Sequence, residues 1–132
     1  MKRVFLLSAV AMAITFFAVM EPAVAKVWFD GKNFVGEIGK KGEAKADKDE
    51  FIFKNGKFRS TACDPYGFRP GAYRAVGGTN EPTKFEAICT SPTDGKMTWR
   101  GMVKGDQIEG TALWEKPGQA PVENWFKGTL KK

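Results

Sequence analysis

A chain of 132 residues with 21 Lys+Arg, 15 Asp+Glu and no histidine is long enough for one ordinary domain and short for two. The missing imidazole excludes Ser-His-Asp and Cys-His chemistry and removes the commonest transition-metal ligand. The net charge of +6 is spread over lysines that alternate with acids or end the chain (Lys40, Lys41, Lys45, Lys48, Lys131, Lys132). That pattern reads as a solvated surface and not as a nucleic-acid site.

Residues 1–25 have the pattern of an export signal. Lys2 and Arg3 precede an apolar run from Val4 to Met20, Glu21-Pro22 breaks it, and Ala23-Val24-Ala25 supplies a small-x-small cleavage site. Cleavage there would leave residues 26–132 as a single domain, starting at Lys26, not membrane-spanning, and periplasmic or secreted. Losing Lys2, Arg3 and Glu21 leaves 19 bases against 14 acids, a charge of about +5. In such a compartment Cys63 and Cys89 are expected to form a disulfide. A bridged loop of about 25 residues would contribute roughly 3 kcal/mol on a chain-entropy estimate.

From Val27 onward, short alternating segments are separated by turn signals. Val27-Trp28-Phe29 runs into Asp30-Gly31, and Phe34–Ile38 follows. Residues 43–50, acidic but diluted by lysine, read as a mobile polar connection; they lack the central glycine of a calcium loop. Phe51-Ile52-Phe53 and Phe58 flank Asn55-Gly56, the strongest short hairpin signal. A Pro- and Gly-rich loop from Cys63 to Gly71 leads to a short strand at Tyr73–Val76. Beyond it Phe85, Ala87 and Cys89 share one face. Met97, Trp99, Gly101 and Val103 share the next, then Ile108, Gly110, Ala112 and Trp114, then Phe126, Gly128 and Leu130.

No window after residue 25 has a helical period. The pattern predicts an all-β fold: a single up-and-down antiparallel meander of about eight strands, closed into a small barrel. Closure removes the edges an open sheet would expose, and inward Gly101, Gly110 and Gly128 would let strands bend beside Trp99 and Phe126. A two-sheet β-sandwich is the alternative.

The run from Trp99 through Thr111, with its turn at Gly105-Asp106, resembles the repeating hairpins of lipocalin-like and streptavidin-like barrels, the calycin group. The resemblance spans most of residues 27–130 and is one of pattern. Trp28 follows Lys26-Val27 where lipocalins carry Gly-x-Trp, and no residues match streptavidin's ligand contacts. The chain is also similar to small exported bacterial proteins without an assigned activity. The group implies a barrel and ligand binding.

Two candidate sites emerge. Trp99 and Trp114 on the inner face would either line a ligand cavity or fill the core. The loop after Cys63 concentrates Tyr66, Phe68, Arg69 and Tyr73, either as a recognition surface or as a plug over the barrel mouth. Met102, Leu113 and Trp125 have outward parity and would form an apolar patch.

The functional expectation is a non-enzymatic binding barrel for a small amphipathic or anionic envelope ligand, without a cofactor or metal. The alternative is a protein-interaction module, such as an inhibitor of a secreted enzyme or an envelope accessory protein, built on a filled core. Glu86 and Glu109, the carboxylates best placed for acid–base work, have outward parity. The only serines after residue 25, Ser60 and Ser91, lie outside any Gly-x-Ser-x-Gly elbow.

Overall fold

The computed structural model describes residues 27–78 and 81–132. The export signal proposed for residues 1–25 lies outside them. Eight strands follow one another: β1 (Asn33–Lys40), β2 (Asp47–Lys54), β3 (Lys57–Ser60), β4 (Gly71–Val76), β5 (Thr83–Ser91), β6 (Gly95–Lys104), β7 (Gln107–Glu115) and β8 (Val122–Leu130). Each pairs antiparallel with its sequence neighbour, and β1 pairs with β8 to close the barrel. The meander is therefore a closed barrel, and the sandwich alternative is excluded.

Inward and outward positions follow the alternation of the sequence. Met97, Trp99 and Val103 on β6, Ile108 and Ala112 on β7, and Phe126 on β8 are buried. Asn55 (φ 52°) and Gly56 (φ 78°) both have positive φ, the pair of left-handed residues that a two-residue hairpin turn requires. The inward glycines pair across strands, Gly101 with Gly110 and Gly36 with Gly128. A Cβ on Gly101 would lie 2.8 Å from the Phe126 ring and 3.0 Å from Phe85, so glycine here gives both rings their room.

The core is packed with aromatic rings. Phe29, Phe34, Phe51, Phe53, Phe58 and Trp99 have no exposed surface. Trp99 packs against Phe58 at 4.9 Å and Phe126 at 5.2 Å between ring centroids, within the range of favourable tilted and edge-to-face contacts. Of the two outcomes considered for an eight-stranded interior, filling prevails.

The two ends differ. Residues 27–32 close one. Phe29 packs on Phe53 and Phe85, Gly31 N–H donates to the Phe53 carbonyl, and the Asp30 carboxylate accepts from Asn55 N–H, Gly56 N–H and the Tyr73 hydroxyl. Val27-Trp28-Phe29 thus forms a turn and plug instead of extending the meander, because its ring finds a place inside the barrel end. The opposite end is bordered by residues 41–46, 61–70, 92–94 and 116–121, and stays open.

Three expectations are corrected. Residues 47–50 belong to β2, where Asp49 is buried; its carboxylate accepts from Ser60 Oγ (2.6 Å), Glu50 N–H (2.7 Å) and Ala62 N–H (3.0 Å). The start of the Pro/Gly-rich loop is a 3-10 helix, Thr61–Tyr66, ended by Gly67 at φ 86°. Cys63 and Cys89 are both free, buried thiols, so the expected disulfide is not formed. Each sulfur has another partner. Cys63 shares a hydrogen bond with the Ser60 side chain. Cys89 Sγ lies 3.5 Å from the Phe58 carbonyl and interacts with the Gly71 backbone N–H, where β3 and β4 share only two residue pairs.

Candidate functional site

The open end forms a cup of about 460 Å³. Its apolar wall consists of Ile38, Phe68, Met97, Trp114 and Val122, with Tyr66 on the rim. Its polar lining is Lys40, Glu43, Lys45, Asp47 and Asn124. A larger but shallow depression of about 540 Å³ runs along the outer wall past Arg100, Met102, Glu109 and Trp125. The cup is the better candidate, because it brings aromatic and charged groups from β1, β2, the 3-10 helix, β7 and the adjoining loops into one concavity.

Local chemistry positions each aromatic group. Trp114 is the inward residue near the end of β7, and its indole N–H donates to the Asp94 carbonyl at 2.7 Å, fixing the ring against the β5–β6 turn. Tyr66 ends the 3-10 helix. Its carbonyl accepts from Ser91 Oγ at 2.7 Å while 60% of the residue stays exposed. Phe68 is buried immediately after Gly67 turns the chain, and Arg69 N–H donates to the Thr90 carbonyl. Asp49 anchors the start of this helix, and burial is the main influence raising its pKa above the ordinary 3.8.

The six residues singled out in the sequence do not form one site. Tyr66, Phe68 and Trp114 meet in the cup. Trp99 lies beneath it in the core, and its Nε1–H has no acceptor among the described residues. Arg69 is exposed beside the cup and lines a tight void behind it. Tyr73 faces the plugged end, packing on Phe53 at 5.0 Å and donating to Asp30 at 2.7 Å.

Sequence reasoning set Met97 on the inward face near Trp99 and Trp114, and the structure makes it a wall residue of the cup. Lys40, Lys45 and Asn124 were missed, although Lys40 continues the inward parity of Ile38 and Asn124 that of Phe126. The outward patch is only partly formed. Trp125 lies over Gly39, donates its indole N–H to the Glu43 carbonyl at 3.0 Å and has Lys127 Nζ 5.7 Å from its ring centroid. It therefore fastens the β1–β2 connection.

Both thiols are held protonated. Burial pushes Cys63 and Cys89 up to about 11 from an ordinary value of 9.0, so neither is poised as a nucleophile. Glu86 lies outside the barrel between Arg100 (2.7 Å) and Arg74 (3.4 Å), and the hydrogen bond from Arg100 is the main cause of its lowered pKa. Among the described residues, no helix is long and apolar enough to cross a membrane.

Comparison with family models, curated proteins and solved structures finds no match.

Proposed function

We propose that this protein is an exported, non-enzymatic binding barrel that holds a small amphipathic or anionic ligand in the cup at its open end. The supporting observation is the cup itself. Tyr66, Phe68 and Trp114 offer an apolar surface, and Lys40 and Lys45 line the same cup together with Glu43 and Asp47. Because the interior is filled, the ligand would sit at the mouth and not in the barrel axis. Its apolar portion would cover Phe68 and Met97, and its charged head would face the lysines.

Tryptophan emission and melting temperature report on this reading. Titration with fatty acids, haem and anionic glycans should change Trp114 fluorescence and raise the melting temperature for one of these classes. Trp114→Ala should weaken that binding by about tenfold, consistent with losing roughly 1.4 kcal/mol of aromatic contact. If every class leaves both signals unmoved at saturation, the cup is not a small-molecule site.

A second reading rests on Tyr66, whose 60% exposure on a braced helix suits a contact residue for a protein partner. Under that reading the barrel is a scaffold for the helix and the residues after it.

A further inference from the structure

Behind the cup lies a void too tight to hold a water, lined by Cys63, Cys89, Met97 and Trp99. Cys63, Phe68 and Met97 also line the cup, so these three side chains form the partition between cup and void. Cys89 and Met97 are directly paired residues on β5 and β6, both inward and buried. The residues carrying two thiols and a thioether thus line one tight space beside the cup.

We propose that this sulfur cluster is a binding site for a soft monovalent metal ion, Cu(I) in particular, with Cys63 and Cys89 as thiolate ligands and Met97 as a thioether ligand. The proposal is independent of the cup's ligand. All-sulfur donor sets select soft ions, and oxygen-preferring cations such as magnesium and calcium gain nothing from them. Low-coordinate geometry suits a closed space with no room for water ligands.

The second observation is Trp99, whose indole N–H is fully buried without an acceptor. An unpaired buried donor is costly, and Trp99 lines the void in which the metal-bound thiolates would supply acceptors. The reaction balances without an oxidant: Cu⁺ plus two thiols gives a dithiolate complex of charge −1 and two protons, which are released to solvent. Arg59 and Arg69 line the same void. Arg69 has no acidic partner among the described residues, so its charge is available to offset that of the complex.

The test uses the reduced protein purified from its own cells, titrated anaerobically with Cu(I) against a chelator and, in parallel, with Ag(I). The expected result is one ion per chain by native mass spectrometry and two protons released per ion. A sulfur-to-metal charge-transfer band should appear, and both thiols should be shielded from alkylation. Cys63→Ser and Cys89→Ser should each weaken binding by on the order of 100-fold, and the near-isosteric Met97→Leu by about tenfold.

If a serine variant fails to fold, Met97→Leu and the proton count on the unaltered protein still decide. Three results would overturn the site: no uptake by the folded, reduced protein; equal uptake by the Cys63→Ser/Cys89→Ser double variant; or a Cys63–Cys89 disulfide that forms while the ion is present.

Discussion

Trp99 satisfies every apolar requirement of its position and fails one polar requirement. Its ring is enclosed by Phe51, Phe58 and Phe126, yet its N–H is unpaired. These two facts oppose each other in a substitution series. Trp99→Ala should cost about 3–5 kcal/mol, because it leaves a large cavity. Trp99→Phe keeps a ring and removes the orphan donor, so it should cost under about 1.5 kcal/mol. Denaturant unfolding of both variants measures the difference, and equal losses would mean that the N–H finds a partner in solution. The inward direction of Trp99 and Trp114 was legible from alternation alone. Their separate fates were not, because parity gives a face and not a depth along the barrel axis.

At the scale of elements, the corner from β3 into the 3-10 helix depends on a buried carboxylate. The Asp49 oxygens accept from Ser60 and from two backbone N–H groups, and desolvation outweighs those bonds in raising its pKa above 3.8. The folded protein therefore keeps the Asp49 proton to a higher pH than the unfolded chain does. The stability it contributes is greatest below pH 3.8 and declines as the pH rises through the folded value. Urea midpoints measured from pH 3 to pH 7 should show wild type losing ground to Asp49→Asn as the pH rises. A constant gap would show that burial does not govern this carboxyl. The helix was not legible: Cys63 to Gly71 reads as a Pro/Gly-rich loop, Pro65 lies near the C-terminal end of the turn and not at its start, and only Gly67 at the end is a usual helix-stop signal. Nor was Asp49, because Asp47-Lys48-Asp49-Glu50 has the composition of a solvated connection. Its place in β2 comes from pairing with β1, Glu37 opposite Lys48 and Gly36 opposite Asp49, which only the closed sheet supplies.

For the whole molecule, the decisive feature is the seam between β1 and β8. A Cβ on Gly36 would lie 2.5 Å from the Gly128 Cα and collide with the Lys127 carbonyl oxygen. Backbone cannot yield as a side-chain tip can. Gly36→Ala should cost about 3 kcal/mol or more, with hydrogen exchange accelerated first along β1 and β8. Gly78→Ala, where a Cβ meets nothing within 4 Å, should stay within about 0.5 kcal/mol. Equal behaviour of the two variants would show that the seam relaxes freely. Closure was legible from the count of short strands, their tight turns and the inward glycines. The plugged end and the open cup were not, because they depend on which terminal segments reach the axis, and Val27-Trp28-Phe29 resembles the start of a strand as much as a stopper.

The same seam orders events in time. A ribosome delivers β1 first of the eight strands and its second neighbour, β8, last of them. Until Val122–Leu130 emerges, the growing chain has unpaired edges on β1 and on its newest strand, and Phe126 is missing from beneath Trp99. Long-range pairing of this kind makes folding slow relative to helical chains of the same length. Completion of the barrel is thus postponed until β8 has been made, and a chain interrupted before that strand is left as an open sheet with two edges on which a second copy could pair.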